Sequence, residues 1–190
     1  LVFSKGPAVD VELSDASKVS VNLVTIGASG VSGFVGTGFT GFTADQEPKP
    51  NDEAMGLYVA DVAFGLALMQ STQGTESYYG LTASAGAAGF QGVAGMTLTA
   101  SDVRIAVNGS SSDQVVDFTT TDWDANPDTA EGALTVTTGA DSSMDLAFTE
   151  QLLEASGTMT LALASYVYLT GTLVLRKGPA VTVTLNDTRQ

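Results

Sequence analysis

The sequence has no cysteine and no histidine. The first absence excludes a disulfide framework and thiolate metal sites. The second removes Ser-His-Asp and Cys-His catalysis and the usual zinc and iron ligands. Bases are scarce: 7 Lys and Arg stand against 21 Asp and Glu, a net charge of −14, and no base lies between Arg104 and Arg176. Nucleic-acid binding needs cations that displace phosphate counterions, so this balance argues against DNA or RNA. It disfavours anionic membrane surfaces for the same reason. It favours solubility and leaves carboxylates unpaired and open to metal ions. Residues 155–175 carry no charge, a run long enough to raise the question of a membrane helix. Their alternation and their Gly, Thr and Ser content read as strands instead, and no membrane insertion is expected. A signal peptide is also not visible.

What is present suits strands and tight turns. Hydrophobic residues make up 44%, charged residues only 15%, and there are 21 glycines. Val, Thr, Ala, Ser and Gly dominate, whereas the Lys and Glu of solvated helix faces are few. One domain is the default at 190 residues.

The chain contains one stretch twice. Residues 1–15 read LVFSKGPAVDVELSD and residues 173–187 read LVLRKGPAVTVTLND, identical at 10 of 15 positions at a spacing of 172. Self-similarity at a fixed period is the mark of tandem architectures. Residues 1–172 are therefore expected to form one repeat unit and residues 173–190 the start of the next. In both copies Ala-Val-x-Val-x-Leu alternates with period 2. Asp10 and Glu12 become Thr182 and Thr184 while the inward valines stay. The changes respect a pleated strand.

Along the chain, 8–13 is expected to be a strand that starts after the Gly6-Pro7 turn, in a hairpin with 18–26. Residues 27–43 are glycine-rich and contain Gly36-Thr-Gly38-Phe-Thr-Gly41. Dinucleotide binding would need a helix start immediately afterwards, and Phe42-Thr-Ala-Asp45 followed by two prolines supplies none. The expectation is a kinked strand with Phe34, Phe39 and Phe42 in the core. Asp45–Glu53 reads as an exposed polar loop and 56–70 as one long strand or a strand pair. Strands follow over 76–84 and 93–107, separated by a turn region at 86–95, with a register change at Ser101-Asp102. Asn108-Gly109 predicts a turn. Short strands are expected at 115–120 and 133–138, one or two helical turns over 149–154, and two strands over 157–175, broken near Ser165 or Gly171.

From Ala60 onward the runs ADVAFGLALM, YYGLTASAGAAGFQGVAGMTLTASDVRIAVN, VVDFTT, LTVTTG and LLEASGTMTLALASYVYLTGTLVLRKG follow in order. Over roughly residues 55–178 this resembles the repeat of very large secreted or surface-attached bacterial proteins, often described as adhesin-like. The resemblance implies an extracellular or cell-surface, tandem, all-β structural unit. It carries no site residues with it.

One constellation has the composition of a metal site. In TDWDANPDTAEG, Asp122, Asp124, Asn126 and Asp128 recur at every second position, with Glu131 close behind. Alternate oxygen-bearing residues in a tight loop can converge on calcium, which takes six to eight oxygens. Pro127 stands where an EF-hand has its turn glycine, and Ala133 where it has a bidentate Glu, so this is not an EF-hand. Another calcium loop, with Asp113 or Asp117 as further ligands, and a solvated acidic loop held by Asx turns both remain open. No aromatic sugar platform accompanies the acids, and no enzyme is expected.

The sequence thus predicts an all-β fold, the repeat unit of a tandem array of β-solenoid or sandwich-like form, with at most one short helix near 149–154. Its expected work is structural or adhesive, through head-to-tail assembly with neighbouring repeats or identical chains, extending to fibres. The alternative is a β-structured module for carbohydrate, lipid or another surface ligand. A transmembrane β-barrel is a third reading, against which the spacing of Tyr and Phe speaks.

Overall fold

A computed structural model describes residues 1–43, 48–123 and 132–179, with residues 48–53 described by their backbone alone. The described chain is all-β. Its strands are β1 (Val2–Glu12), β2 (Lys18–Phe42), β3 (Pro48–Ser71), β4 (Ser77–Gln91), β5 (Met96–Ser110), β6 (Leu134–Thr137), β7 (Ser143–Leu146), β8 (Leu152–Leu163) and β9 (Val167–Lys177). Seven form one antiparallel sheet in the order β1-β2-β3-β4-β5-β8-β9, and β6 pairs with β7 as a separate hairpin. The large sheet is a meander, each strand lying beside its predecessor except between β5 and β8, where the described residues of 111–151 lie off the sheet.

That excursion forms the second layer. It lies on one face, here called inner, where directly paired strand residues are small: Gly27 faces Gly65, and in the adjoining row Ala67 faces Gly80. A side chain at Gly27 would collide with the Thr137 carbonyl, and one at Gly65 would stand 3.1 Å from Val136 Cβ. The absence of side chains here lets the β6–β7 hairpin approach the sheet. The core between the layers contains Val11, Val21, Met69, Tyr78, Val116, Phe118, Leu134, Val136 and Leu146, all buried. Phe118 stacks on Trp123 with centroids 5.4 Å apart and meets Phe148 edge-on at 5.8 Å. Trp123 Nε1 donates to the Phe118 carbonyl at 2.9 Å.

Several local expectations hold. The hairpin of 8–13 with 18–26 is present, 27–42 is strand with irregular register, and β3 is one long strand. The β5–β8 register shifts between Ser101 and Arg104. The last two strands break at 164–166 rather than at Gly171. The uncharged 155–175 run lies in β8 and β9, and among the described residues no helix is long and apolar enough to cross a membrane.

Other expectations are overturned. No helix forms at 149–154: β8 starts at Leu152, and the Leu152–Glu154 backbone lies against Ala106–Asn108 of β5. Gly6-Pro7 does not precede the first strand but forms a bulge inside it, since β1 already pairs from Val2. Proline is tolerated there because β1 is an edge and needs no ladder donor on its open side. Asn108-Gly109 is no turn. Asn108 is buried in β5, where its Nδ2 donates to the carbonyls of Val116 (2.9 Å) and Glu150 (3.1 Å), pinning both ends of the excursion. Gly109 lies beneath the ring of its cross-strand neighbour Tyr79.

Residues 115–120 make a single bridge, Val116 to Leu13, and then a turn. Val115, Val116 and Phe118 are all buried, which a half-buried pleat would not allow at consecutive positions. Strand β4 runs on to Gln91, so the turn is confined to 92–95, where Gly92 and Gly95 take φ of 97° and 75°. The polar stretch 45–53 is not all loop: from Pro48 it belongs to β3, with Pro48 opposite Phe42 and Pro50 opposite Phe39. Residues 44–47 lie outside the described residues. Phe34, Phe39 and Phe42 cluster, with centroids 5.2 and 5.0 Å apart, but Phe39 is 42% exposed, so they form no part of the core.

Two predictions follow from this packing. A Cβ at Gly80 would lie 2.5 Å from the Phe118 ring, whereas one at Gly171 would meet nothing. Gly80→Ala should therefore lower stability by about 1–3 kcal/mol in urea unfolding, while Gly171→Ala leaves it unchanged or slightly higher. Burial raises the Tyr78 pKa above the ordinary 10.0, the charges of Glu76 and Asp15 add to this, and a hydrogen bond with Ser112 opposes it. The folded state thus holds this proton more tightly than the unfolded chain does. The stability it contributes is complete below pH 10 and is lost as pH rises through the folded value. Tyr78→Phe should flatten the alkaline fall in Tm measured from about pH 8 to 11.

Candidate assembly surfaces

The acidic loop holds the residues that the sequence marks as ligands. Asp124, Asn126, Asp128 and Glu131 lie outside the described residues. Asp122 is described. It lines a groove of about 480 Å³ together with Asp10, Glu12, Lys18 and Trp123. The carboxylate of Asp117 accepts from the backbone N–H and hydroxyl of Thr119 at 2.9 and 2.7 Å, an Asx turn. Asp15 does the same for Ser17 at the end of the first hairpin, and those bonds hold its pKa below the usual carboxylate value. Among the described residues no three Asp or Glu side chains converge in a way that would hold a metal ion.

A second polar feature was not singled out by the sequence. A cleft of about 550 Å³ on the inner face is lined by Asp61, Asp102, Arg104 and Glu154, with Met144 and Phe148. Asp61 and Asp102 have φ of 51° and 52°, left-handed values that L-residues rarely adopt. They lie on either side of Gly86, whose missing side chain makes room for Asp61. Together with Gly30 of β2 at 62°, they mark a line of kinks across four neighbouring strands.

This line has a consequence for polarity. Strand β8 is unbroken, and its odd-numbered residues from Leu153 to Leu163 share the outer face. On β5 their partners are Val107 and Ile105 below the kink but Ala100, Leu98 and Met96 above it, so the parity changes across Asp102. It changes likewise on β4, from Leu81 and Ala83 to Ala88 and Phe90, and on β3, from Leu66 and Phe64 to Val59 and Leu57. A strand that kept strict alternation would carry its apolar residues onto the other face. The kinks instead keep one continuous apolar outer face.

Among the described residues nothing covers that face. One of its rows reads Phe3, Ile26, Leu66, Leu81, Val107, Leu153 and Lys177 across all seven strands. Phe3 is 65% exposed, Leu57 59%, Leu153 43% and Ile105 37%. Near Leu57, Val59, Phe90, Leu98 and Met159 the surface dips into an apolar depression of about 290 Å³.

The two sheet edges carry the repeated sequence. Of the first copy, Val2–Lys5 lies on β1 and pairs with Gly27 to Val24. Of the second, Leu173–Lys177 lies on β9 and pairs with Gly157 to Leu153. The boundary expected at 172/173 thus falls inside β9. Arg176 makes long ion pairs with Glu150 and Glu154, both at 3.7 Å. Both are exposed enough to contribute little on their own. The rest of the second copy, from residue 180, lies outside the described residues.

Comparison with models of known families, with curated proteins and with solved structures finds no match.

The left-handed aspartates generate a prediction. Asp61→Gly and Asp102→Gly should each raise stability, by up to about 1 kcal/mol, because glycine adopts this conformation without the Cβ clash. Asp61→Val should lower it by more than that. Chemical denaturation of the single variants checks both signs.

Proposed function

We propose that this chain is a structural repeat unit of an extracellular, adhesin-like bacterial array, with units joined edge to edge through a shared strand. The observation that carries this reading is where the sheet returns its repeated sequence. Six successive antiparallel pairings separate β1 from β9. Six is even, so β9 runs in the same direction as β1; an odd number would have reversed the copy. The facing agrees as well. Phe3 and Lys177 share one outer row, and Lys177 is the copy of Lys5, so each unit staggers the array by two residues. An even stagger leaves Leu173, Leu175 and Lys177 on the same face as Leu1, Phe3 and Lys5.

The segment Leu173–Lys177 can therefore be the last strand of one unit and the first of the next at once. It pairs with β8 on one side, and its other side offers the donors and acceptors that β1 gives to β2. Pairing with β8 stops at Lys177, where Gly178 and Pro179 follow. The proline, which has no N–H to give, falls where the strand no longer needs two partners. Unpaired strand edges recruit strands, and a heterologous contact of this kind grows into an open filament unless it closes on itself. Neighbouring repeats or identical chains are the partners, and no enzymatic step is assigned.

A second reading, an apolar-ligand module, is favoured by the depression near Leu57 and Met159. It ranks lower because the depression is shallow and continuous with the face around it.

Small-angle X-ray scattering of a chain carrying residues 1–172 twice and then 173–190 tests the array. Six added strands at about 4.8 Å each should lengthen a rigid particle by roughly 29 Å at constant cross-section. Two beads on a flexible tether, or a change in cross-section, would refute the shared strand. Truncation after Thr172 should abolish growth of the single unit into larger species in light scattering.

A further inference from the structure

We infer that the apolar outer face is an interface for a second copy of this sheet, packed face to face, so that the array is two layers thick. This goes beyond the edge joint, which leaves that face uncovered.

Three observations point to a second sheet. First, polarity is actively maintained. The alternation changes phase on β3, β4 and β5 at the kink line, and in each strand the apolar set stays outside. Left-handed aspartates are a costly way to achieve this unless the face is buried. Second, charge is excluded. On β2 to β5 and β8, the outer rows from Val24 to Val35 contain no Asp, Glu, Lys or Arg, although the chain carries 21 acids. Asp61, Asp102, Arg104 and Glu154 all line the inner cleft. Two copies with a net charge of −14 each can meet on this face without bringing like charges together.

Third, the size fits. The five charge-free strands at about 4.8 Å and about eleven residues at 3.3 Å give a footprint of roughly 900 Å². Two such faces cover roughly 1,700 Å², the range of standard specific interfaces. Aligned packing of twisted sheets about 10 Å apart is the usual arrangement for such faces. A bilayer is the weaker occupant, because the unit has two open edges whose backbone groups hydrocarbon cannot satisfy. The acidic balance also disfavours anionic lipid.

The chain has no cysteine, so a single spin label on Leu81→Cys, on the central strand β4 of the face, reports unambiguously. Pulsed electron resonance on the full 190-residue chain should give a label-to-label distance below about 20 Å, set by the sheet spacing of about 10 Å. The edge joint puts equivalent labels roughly 29 Å apart, so the two contacts are read separately in one sample. A distance near 29 Å alone would overturn the face pairing and leave the array intact. A short distance alone would support the face pairing and count against the array. Leu66→Glu, introduced into the labelled chain, should remove the short distance while circular dichroism stays unchanged. If that variant does not fold, the labelled Leu81→Cys chain still decides. Persistence of the short distance in a folded Leu66→Glu chain, absence of any short distance at about 100 µM, or flotation of the protein with neutral phosphatidylcholine vesicles would each refute the proposal.

Discussion

The whole structure depends on the two-residue period of a pleated strand. Once strands pair directly, every row across the sheet has one facing, and a slip of one residue would turn apolar side chains to the wrong side. Strands as long as β2 and β3, at 25 and 24 residues, twist and cannot hold a regular ladder along their length. The kinks at Gly30, Asp61 and Asp102 interrupt the ladder on neighbouring strands at the same level, so the rows on either side still match. The conserved quantity is the polarity of the face, not the parity of the residues.

The inner face meets a different constraint, close approach. A two-stranded hairpin can pack on a sheet only where the sheet presents little side chain. Gly27, Gly65, Ala67 and Gly80 supply that patch on adjacent strands. Glycine elsewhere has a second use. Tyr58 lies over Gly89 and Tyr79 over Gly109, each ring shielding the bare backbone of its cross-strand neighbour. The high glycine content is therefore a packing device on both faces. Asn108 completes the layer, because one buried amide ties the Val116 and Glu150 carbonyls to β5.

These two faces give the unit an asymmetric character. One side is finished by its own chain, with Phe118 and Leu146 fully buried. The other side, and the edges along Val2–Lys5 and Val167–Lys177, have no covering layer or further strand among the described residues, whereas at Glu12–Ser14 the β1 edge is closed by Val115, Asp117 and Thr121. An ordinary monomeric domain protects edges with charges, prolines or covering loops; β1 has such a device in Pro7 at its bulge, whereas Leu173 to Leu175 are exposed along the β9 edge. The two edges bear one repeated sequence in the same direction and facing, which is the condition the proposed array requires.

The sequence by itself determined the strand class, the alternation of 8–13 with 18–26, the irregular glycine-rich strand and the register change beside Asp102, and it narrowed the last break to Ser165 or Gly171. All are local: period-2 patterning and turn chemistry act within a few residues. The repeat at 1–15 and 173–187 was equally legible, since identity needs no coordinates. Only the tertiary structure decided the rest. It turned Asn108-Gly109 from a turn into strand, because a buried bond from Asn108 to Val116 outweighs a local turn preference. It turned 152–154 from helix into strand, because β5 held an open ladder beside it. It moved three phenylalanines out of the core and assembled a continuous apolar face from residues of opposite parity. Facing is a property of how strands are paired across the sheet, and no single strand's pattern contains it.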